Sequence, residues 1–126
     1  MEIQQEMVQG CIPIGINGIC LKPLTKYLKL ISSKWMIFII MIFPPDSTPL
    51  RYSEIKKRMK SVTNEKISDT TLSSRLNELV VNDIIFRKQY NEIPPRVEYQ
   101  LTEKGVNLQE GLQPLVEWAI NECHKA

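Results

Sequence analysis

The sequence predicts a mainly α-helical domain that carries one small β-hairpin, and three observations indicate this fold class. Apolar residues recur at helical spacing through most of the chain after residue 22. Two stretches rich in β-branched and aromatic residues, 84–90 and 97–101, are separated by a short segment that contains two prolines. The length of 126 residues and the hydrophobic fraction of 43% are those of one globular domain, which argues against a two-domain enzyme.

The chain is expected to consist of an N-terminal arm, residues 1–21, and one folded domain, residues 22–126. Pro13, Gly15 and Gly18 lie close together in the arm. Because proline and glycine both disfavour a helix interior, a long regular helix is not expected there.

Two helices are expected to follow the arm. The first starts at Pro23, since proline suits the first turn of a helix. Its apolar positions have the spacing i, i+3, i+4 and i+7: Leu24, Tyr27, Leu28 and Ile31. The second, residues 35–43, is apolar on every face and ends at Pro44, which indicates a central core helix. This run is about half of the roughly 20 residues that a membrane-spanning helix needs, so we expect no membrane association.

Two short helices are expected next. Ser53 is predicted to cap the first, in which Ile55 and Met59 face inward. The second is predicted over residues 68–82 and opens at Ser68. Its core-facing stripe is entirely aliphatic: Leu72, Leu76, Leu79 and Val80. Its opposite face is polar: Thr70, Ser74, Asn77 and Glu78.

The C-terminal third is predicted to form the hairpin and a last helix. Residues 84–90 and 97–101 are the expected antiparallel strands, and residues 91–96 are the expected tip. Thr102 is the predicted cap of the last helix. The apolar stripe of that helix recurs at i, i+4, i+7 and i+11: Leu108, Leu112, Leu115 and Ala119.

This order of elements is that of a winged helix-turn-helix, in which the second short helix enters the major groove of DNA and the hairpin forms the wing. The charge distribution agrees with a nucleic-acid partner. Residues 22–96 contain 14 basic and 7 acidic residues, whereas the segments on both sides are acidic and the net charge of the whole chain is only +2. Lysine and arginine neutralise phosphates and supply sequence-independent affinity that falls with salt.

Several segments in the same order resemble the HxlR-type transcriptional regulators, which are MarR-like winged helices. Residues 90–102, Tyr-Asn-Glu-Ile-Pro-Pro-Arg-Val-Glu-Tyr-Gln-Leu-Thr, are similar to the wing signature of that family. Residues 31–35 (Ile-Ser-Ser-Lys-Trp) are similar to its Ile-Gly-Gly-Lys-Trp, and residues 50–55 (Leu-Arg-Tyr-Ser-Glu-Ile) to its Leu-Arg-Phe-x-Glu-Leu. Residues 67–79 are similar to its recognition helix. The likeness extends from about Pro23 to Trp118.

The resemblance implies a homodimeric regulator without catalytic activity that dimerises through its first and last helices and binds an inverted-repeat operator in double-stranded DNA. The resemblance leaves open whether the protein binds a small-molecule effector, whose identity is unknown, and no cofactor is expected. Thr70, Thr71 and Ser74 are the expected base-edge readers. The other expected DNA contacts are basic residues of the second short helix, the wing and neighbouring turns: Lys34, Arg51, Arg75, Arg87, Lys88 and Arg96.

The cysteines predict a reducing, cytoplasmic setting, because Cys11, Cys20 and Cys123 are an odd number without a Cys-x-x-Cys pair. Many members of the resembled family have a cysteine directly before the proline of the first helix, but Lys22 holds that position here. A thiol switch in which Cys11 or Cys20 bridges two subunits is one alternative function. The other is a winged-helix module that binds a protein, which would show apolar patches around the second short helix in place of basic residues.

One histidine and no Ser/His/Asp or Cys/His set argue against nucleophilic catalysis. Cys123 and His124 are half of a metal site at most, because no second cluster of ligands completes it.

Overall fold

The computed structural model describes residues 11–12 and 19–125, with side chains from Leu21 to Lys125. The chain divides into two compact units, Met1–Ile37 and Phe38–Ala126. Five α-helices and a small three-stranded antiparallel sheet make up most of the described part, which confirms the predicted mainly α-helical class. Among the described helices, none combines the length and the apolar content needed to cross a bilayer.

The first unit contains a short strand pair and a helix. Strands β1 (Cys11–Ile12) and β2 (Ile19–Cys20) are antiparallel, and helix α1 (Leu21–Ile31) follows directly. α1 therefore begins two residues before Pro23 and one residue inside the predicted arm, whose other residues lie mostly outside the described part. Leu24 and Leu28 of the predicted stripe are exposed, whereas Leu30 is buried.

Helix α2 (Met36–Ile42) is the predicted core helix, and most of its side chains are buried. Arg58 donates from Nη1 to the carbonyl oxygen of Ile42 at 3.0 Å. Ile37 and Met41 are half-buried, and Phe38 is exposed over 47% of its surface. The prediction of a core helix is thus confirmed, although not every face of the helix is covered in the described part of the chain.

Helix α3 (Tyr52–Thr63) is preceded by a two-residue strand, β3 (Leu50–Arg51), that the sequence did not predict. The prediction that Ser53 caps this helix is wrong, because Ser53 lies inside its first turn. Arg51 occupies the N-cap position, and its backbone N–H donates to the Glu54 carboxylate at 3.1 Å. Ile55 and Met59 are fully buried, as predicted.

Helix α4 (Asp69–Val81) agrees closely with the prediction. Ser68 is its N-cap and accepts a hydrogen bond from the backbone N–H of Thr71. Three leucines of the predicted stripe are buried: Leu72, Leu76 and Leu79. Because these leucines hold one side of the helix in the core, its other side is left to face outward.

The sheet has the strand order β3-β5-β4, with β4 at Ile85–Tyr90 and β5 at Arg96–Leu101. Tyr90 is the register partner of Arg96. The tip of the hairpin is therefore residues 91–95, and Arg96 belongs to a strand instead of to the predicted six-residue tip.

Helix α5 (Glu103–Lys125) is joined closely to the base of the hairpin. Thr102 Oγ1 accepts from the backbone N–H of Gly105 at 2.9 Å, which confirms Thr102 as the cap. A Cβ at residue 105 would clash with the carbonyl oxygen of Ile84, so the position requires glycine. Leu112 of the predicted stripe is buried, but Leu115 and the later apolar residues Trp118 and Ile120 are at least half exposed.

Candidate nucleic-acid interface

The outer face of α4 is formed by small polar side chains. Thr70, Ser74 and Asn77 are exposed and lie at i, i+4 and i+7, so they share one face of the helix. Hydroxyl and amide groups both donate and accept hydrogen bonds, as the base edges of a major groove require. The structure thus brings two of the predicted base readers, Thr70 and Ser74, onto one exposed surface.

Thr71 is held in the N-terminal cap of the same helix. Its backbone N–H donates to Ser68 Oγ at 3.1 Å, and the Ser68 hydroxyl donates to Thr71 Oγ1 at 2.9 Å. A cap of this kind stabilises a helix by about 1 kcal/mol. The half-buried Thr71 therefore positions the start of α4, and its predicted contact with a base stays a prediction.

Arg75 lies at the edge of the leucine stripe and is paired within its own helix. Its Nη1 is 2.9 Å from Glu78 Oε1, and its side chain is 24% exposed. Contact with DNA stays a prediction.

A three-residue network, which the sequence did not predict, joins α3 to the start of α4. The Tyr52 hydroxyl and Lys56 Nζ both donate to Asp69 Oδ1 at 2.8 Å. The hydrogen bonds from Lys56 and then Tyr52 hold the pKa of Asp69 below its usual value, and the bond to Asp69 raises the pKa of Lys56. Burial, followed by the bond to Asp69, raises the pKa of Tyr52. The network fixes the turn between the two helices. The sequence signals it only through Asp69, the acidic residue in the first turn of α4.

The wing has a cationic outer surface organised around one aromatic ring. Arg87 and Lys88 are exposed on β4, and Lys88 Nζ lies 4.8 Å from the ring centroid of Tyr90. The Arg96 guanidinium carbon lies 4.0 Å from the same centroid, and its Nη2 is 3.4 Å from Glu92 Oε1. Stacking on an aromatic ring orders a guanidinium at little cost in conformational entropy. Two of the predicted wing cations, Lys88 and Arg96, are therefore close together in the structure, whereas Arg87, as the strand neighbour of Lys88, points to the other face of the sheet.

A cleft of about 530 Å³ separates the wing tip from the start of α3, and we call it the wing cleft. It is lined by Arg51 to Ser53 on one side and Glu92 to Val97 on the other. Arg96 Nε is buried here and, within the described part of the chain, has no hydrogen-bond partner. The wing cleft thus brings together two predicted phosphate contacts, Arg51 and Arg96, that are 45 positions apart in the sequence.

Two predicted site residues lie in the first unit. Lys34 is exposed in the turn between α1 and α2, with its Nζ 4.7 Å from the ring centroid of Trp35. The backbone of Cys20 ends β2, but its side chain lies outside the described residues. Residues 21–125 contain no group of three or more side chains suited to hold a metal ion.

Comparisons with known proteins agree on one family. A model described as HxlR-like helix-turn-helix matches residues 30–126 of this chain. An uncharacterised HTH-type transcriptional regulator of Halalkalibacterium halodurans is 39% identical over 93 residues, which cover 74% of this chain and 77% of that protein.

Solved structures share the fold as well. The reduced form of the transcriptional regulator YodB from Bacillus subtilis is similar with a TM-score of 0.65 and 32% identity, covering 83% of this chain and 96% of that one. The oxidised form of the redox regulator HypR is similar with a TM-score of 0.65 and 27% identity, covering 79% and 95%. These likenesses confirm the predicted winged helix-turn-helix.

Proposed function

This chain belongs to the HxlR-like helix-turn-helix family of transcriptional regulators, and on that premise we propose that it acts as a homodimer on an inverted-repeat operator in double-stranded DNA. The observation that carries this proposal is the two-sided character of α4. Leu72, Leu76 and Leu79 anchor one side in the core, while Thr70 and Ser74 are exposed on the other. A helix held in this way presents its polar side chains to the major groove.

The basic residues have a separate role in this proposal. Arg87, Lys88 and Arg96 on the wing, together with Arg51 across the wing cleft, contact phosphates or enter the adjacent minor groove. Lys34 and Arg75 are further phosphate contacts. These contacts supply affinity that depends on salt and position α4 in the groove, but they carry little sequence information.

Dimerisation is proposed from exposed apolar side chains on two helices. On α1, Leu21, Leu24 and Leu28 are 43–51% exposed. On α5, Leu115, Trp118 and Ile120 are 50–60% exposed. Apolar surface of this kind on a single chain favours association, and a two-fold dimer places its two recognition helices about one turn of B-DNA, roughly 34 Å, apart.

A module that binds protein in place of DNA is less well supported. Such a surface is expected to be apolar, yet the outer face of α4 is polar and lysine or arginine residues lie on the elements next to it. The electrostatic character of this face therefore favours DNA.

Selection of bound duplexes from a random pool tests the proposal. A homodimer with two equivalent α4 helices is expected to enrich a palindrome whose half-sites lie one helical turn, or a multiple of it, apart. An enriched site without two-fold symmetry contradicts the homodimer. No enrichment at any salt concentration contradicts sequence-specific recognition altogether.

A thiol-based switch is the second candidate, and the register of the short strand pair favours it. Cys11 and Cys20 are Cα partners across β1 and β2. Directly opposed residues of an antiparallel pair have Cα atoms about 4.5–5.5 Å apart, which lies within the range that a disulfide spans. A bridge within one chain is therefore available in addition to the bridge between subunits. Two structural neighbours are also described by their oxidation state.

The redox step joins two thiols and requires an oxidant such as a hydroperoxide. The thiols lose two electrons and two protons, and the hydroperoxide becomes an alcohol and water as the sulfur–sulfur bond forms. Oxidation of the wild type is expected to change DNA affinity. For the bridge within one chain, Cys11→Ser and Cys20→Ser should each abolish the response, whereas for a bridge between subunits only the variant that lacks the bridging cysteine should do so. Cys123→Ser is the control, because Cys123 is an exposed free thiol on α5. Intact mass and non-reducing electrophoresis distinguish the two kinds of bridge, and unchanged affinity after oxidation excludes the switch.

A further inference from the structure

A second cleft, of about 330 Å³, lies between α3 and the turn that leads into α4. We call it the lysine cleft. Four of its six lining residues are lysines, and the rim is completed by one hydroxyl and one aliphatic side chain: Lys56, Lys57, Lys60, Lys66, Ser53 and Ile67. No carboxylate is among these lining residues.

Most of the positive charge in this cleft is not compensated. Lys56 is paired with Asp69 at 2.8 Å. Lys57, Lys60 and Lys66 are exposed, and within the described residues none of the three is at ion-pair distance from a carboxylate, although Lys66 is near enough to Asp69 to help lower the pKa of that carboxyl group. Ammonium groups that converge on one concave surface repel each other, and an anion bound among them removes that repulsion. The cleft therefore has the chemistry of a phosphate site.

Residues 56–60 of α3 are nearly all basic, and three of their lysines line the cleft. Arg58 belongs to the same run of the sequence but not to this site. Its guanidinium instead donates a hydrogen bond to the carbonyl oxygen of Ile42, the last residue of α2. Lys66 is included although it lies outside the run, because the turn before α4 brings it to the cleft. The fold therefore selects a different set of cations from the one that the consecutive basic residues indicate.

Because the cleft lies beside α4, DNA is the expected source of the phosphate. Lys66 precedes the exposed, groove-facing Thr70 by four residues, and four residues span at most about 14 Å. The major groove of B-DNA is about 12 Å wide and has phosphates along both walls. Ser53 lines both the lysine cleft and the wing cleft, so the two clefts meet at the start of α3.

We infer that the lysine cleft binds a backbone phosphate of the DNA strand that borders the groove entered by α4. This inference rests on the proposed function and adds a phosphate contact on the α3 side of the recognition helix, in addition to those of the wing. Lys60 and Lys66 are the principal contacts, while Lys56 remains tied to Asp69. The site contributes to affinity and position without reading the base sequence.

The test measures the slope of log K for DNA binding against log salt concentration. Each lost phosphate contact reduces the magnitude of this slope by about 0.9 and, at about 0.1 M salt, reduces affinity about eightfold. Lys60→Gln and Lys66→Gln are each expected to show this change with the consensus sequence unaltered. Lys125→Gln on the last turn of α5 removes the same charge and is expected to bind like the wild type. All three residues are exposed, and matching circular dichroism melts verify the fold of each variant.

Two results overturn the inference. One is an unchanged salt slope in both cleft variants while the wild type still selects a palindrome, an outcome that leaves the proposed function intact. The other combines two measurements. Calorimetry shows that the wild type binds inorganic pyrophosphate and that the cleft variants do not, while the salt slopes of DNA binding by these variants equal that of the wild type. The cleft then binds a free anion and not a phosphate of DNA. A wild type that enriches no duplex contradicts the proposed function itself and is recognised before any variant is made.

Discussion

Replacing Gln109 with leucine removes two hydrogen bonds from the end of the core helix α2. In the wild type, Nε2 of Gln109 donates to the carbonyl oxygen of Ile40 at 3.0 Å and to that of Phe43 at 2.7 Å. Gln109 is only 6% exposed. Leucine is similar in size but donates no hydrogen bond, so the substitution leaves two acceptors unpaired in the interior without opening a large cavity.

The expected loss of stability follows from those two acceptors. A buried polar group left without its partner costs about 1–3 kcal/mol. Two carbonyl groups together are expected to lower the free energy of unfolding by about 2–6 kcal/mol. For a domain of this length, about 4 °C of melting temperature is lost per kcal/mol, so the melting temperature should fall by roughly 8–24 °C.

Thermal and urea unfolding, followed by circular dichroism at one fixed protein concentration, measure this effect. The concentration must be fixed because the stability of a dimer depends on it. Gln113→Leu is the matched control, since Gln113 lies one turn later on α5, is exposed and donates to the exposed side chain of Glu117 at 3.3 Å. The control is expected to change stability by less than about 0.5 kcal/mol. Equal midpoints for the two variants contradict a stabilising role for the two hydrogen bonds of Gln109.

Arg96→Ala should weaken binding to all duplexes alike and reduce the magnitude of the salt slope by about 1, as measured by fluorescence anisotropy over a salt series. Ser74→Ala should change the preference at one operator position by about 1 kcal/mol or more, whereas Ser61→Ala on α3 should not, as measured by competition between duplexes. Trp118→Glu should convert the proposed dimer to a monomer in sedimentation equilibrium, because it places a charge on the exposed apolar face of α5. Asp69→Asn should reduce the loss of stability in acid, as measured by urea midpoints between about pH 6 and about pH 2.

The sign of the pH effect follows from the pKa directions in the network that joins α3 and α4. The pKa of Asp69 is held below 3.8, mainly by the hydrogen bond from Lys56. Its stabilising contribution is present above that value and is lost as the pH falls through the lowered pKa. The pKa values of Tyr52 and Lys56 are raised above 10.0 and 10.5, so their contributions are present below those values and are lost as the pH rises through the raised ones.

Each of these predictions has a contrary outcome. If Arg96→Ala leaves the salt slope unchanged, then Arg96 does not contact DNA and only stabilises the wing through its contacts with Tyr90 and Glu92. If Ser61→Ala shifts base preference as much as Ser74→Ala, then α4 is not the reading element. A Trp118→Glu protein that remains dimeric excludes that residue from the interface. The same acid sensitivity in Asp69→Asn as in the wild type contradicts the pKa argument.

Local patterns in the sequence were sufficient to predict helix α4. The spacing of Leu72, Leu76 and Leu79 predicts the buried face of α4, because helical periodicity is a property of neighbouring residues. Ser68 predicts the start of the helix for the same reason, since its partner Thr71 lies three residues away. The exposed positions of Thr70 and Ser74 follow from that periodicity, but their contact with DNA does not.

Contacts between distant residues could not be read from the sequence. The carbonyl groups that Gln109 binds lie 66 and 69 positions earlier, so no local pattern reveals them. Strand β3 has two residues and no detectable alternation, and only its pairing with β5 defines it. The set of cations in the lysine cleft could not be read from the sequence for the same reason, because Arg58 binds the carbonyl oxygen of Ile42 and the turn before α4 brings Lys66 to the cleft.

The most direct test of groove reading by α4 is a methylation interference experiment with dimethyl sulfate on the selected operator. This reagent methylates guanine N7 in the major groove and adenine N3 in the minor groove. We predict that major-groove methylation blocks binding at two clusters of positions about one helical turn, or a multiple of it, apart, with minor-groove effects only at the flanks where the wings lie. Interference confined to the minor groove, or at a single cluster, contradicts the claim that two α4 helices read the operator.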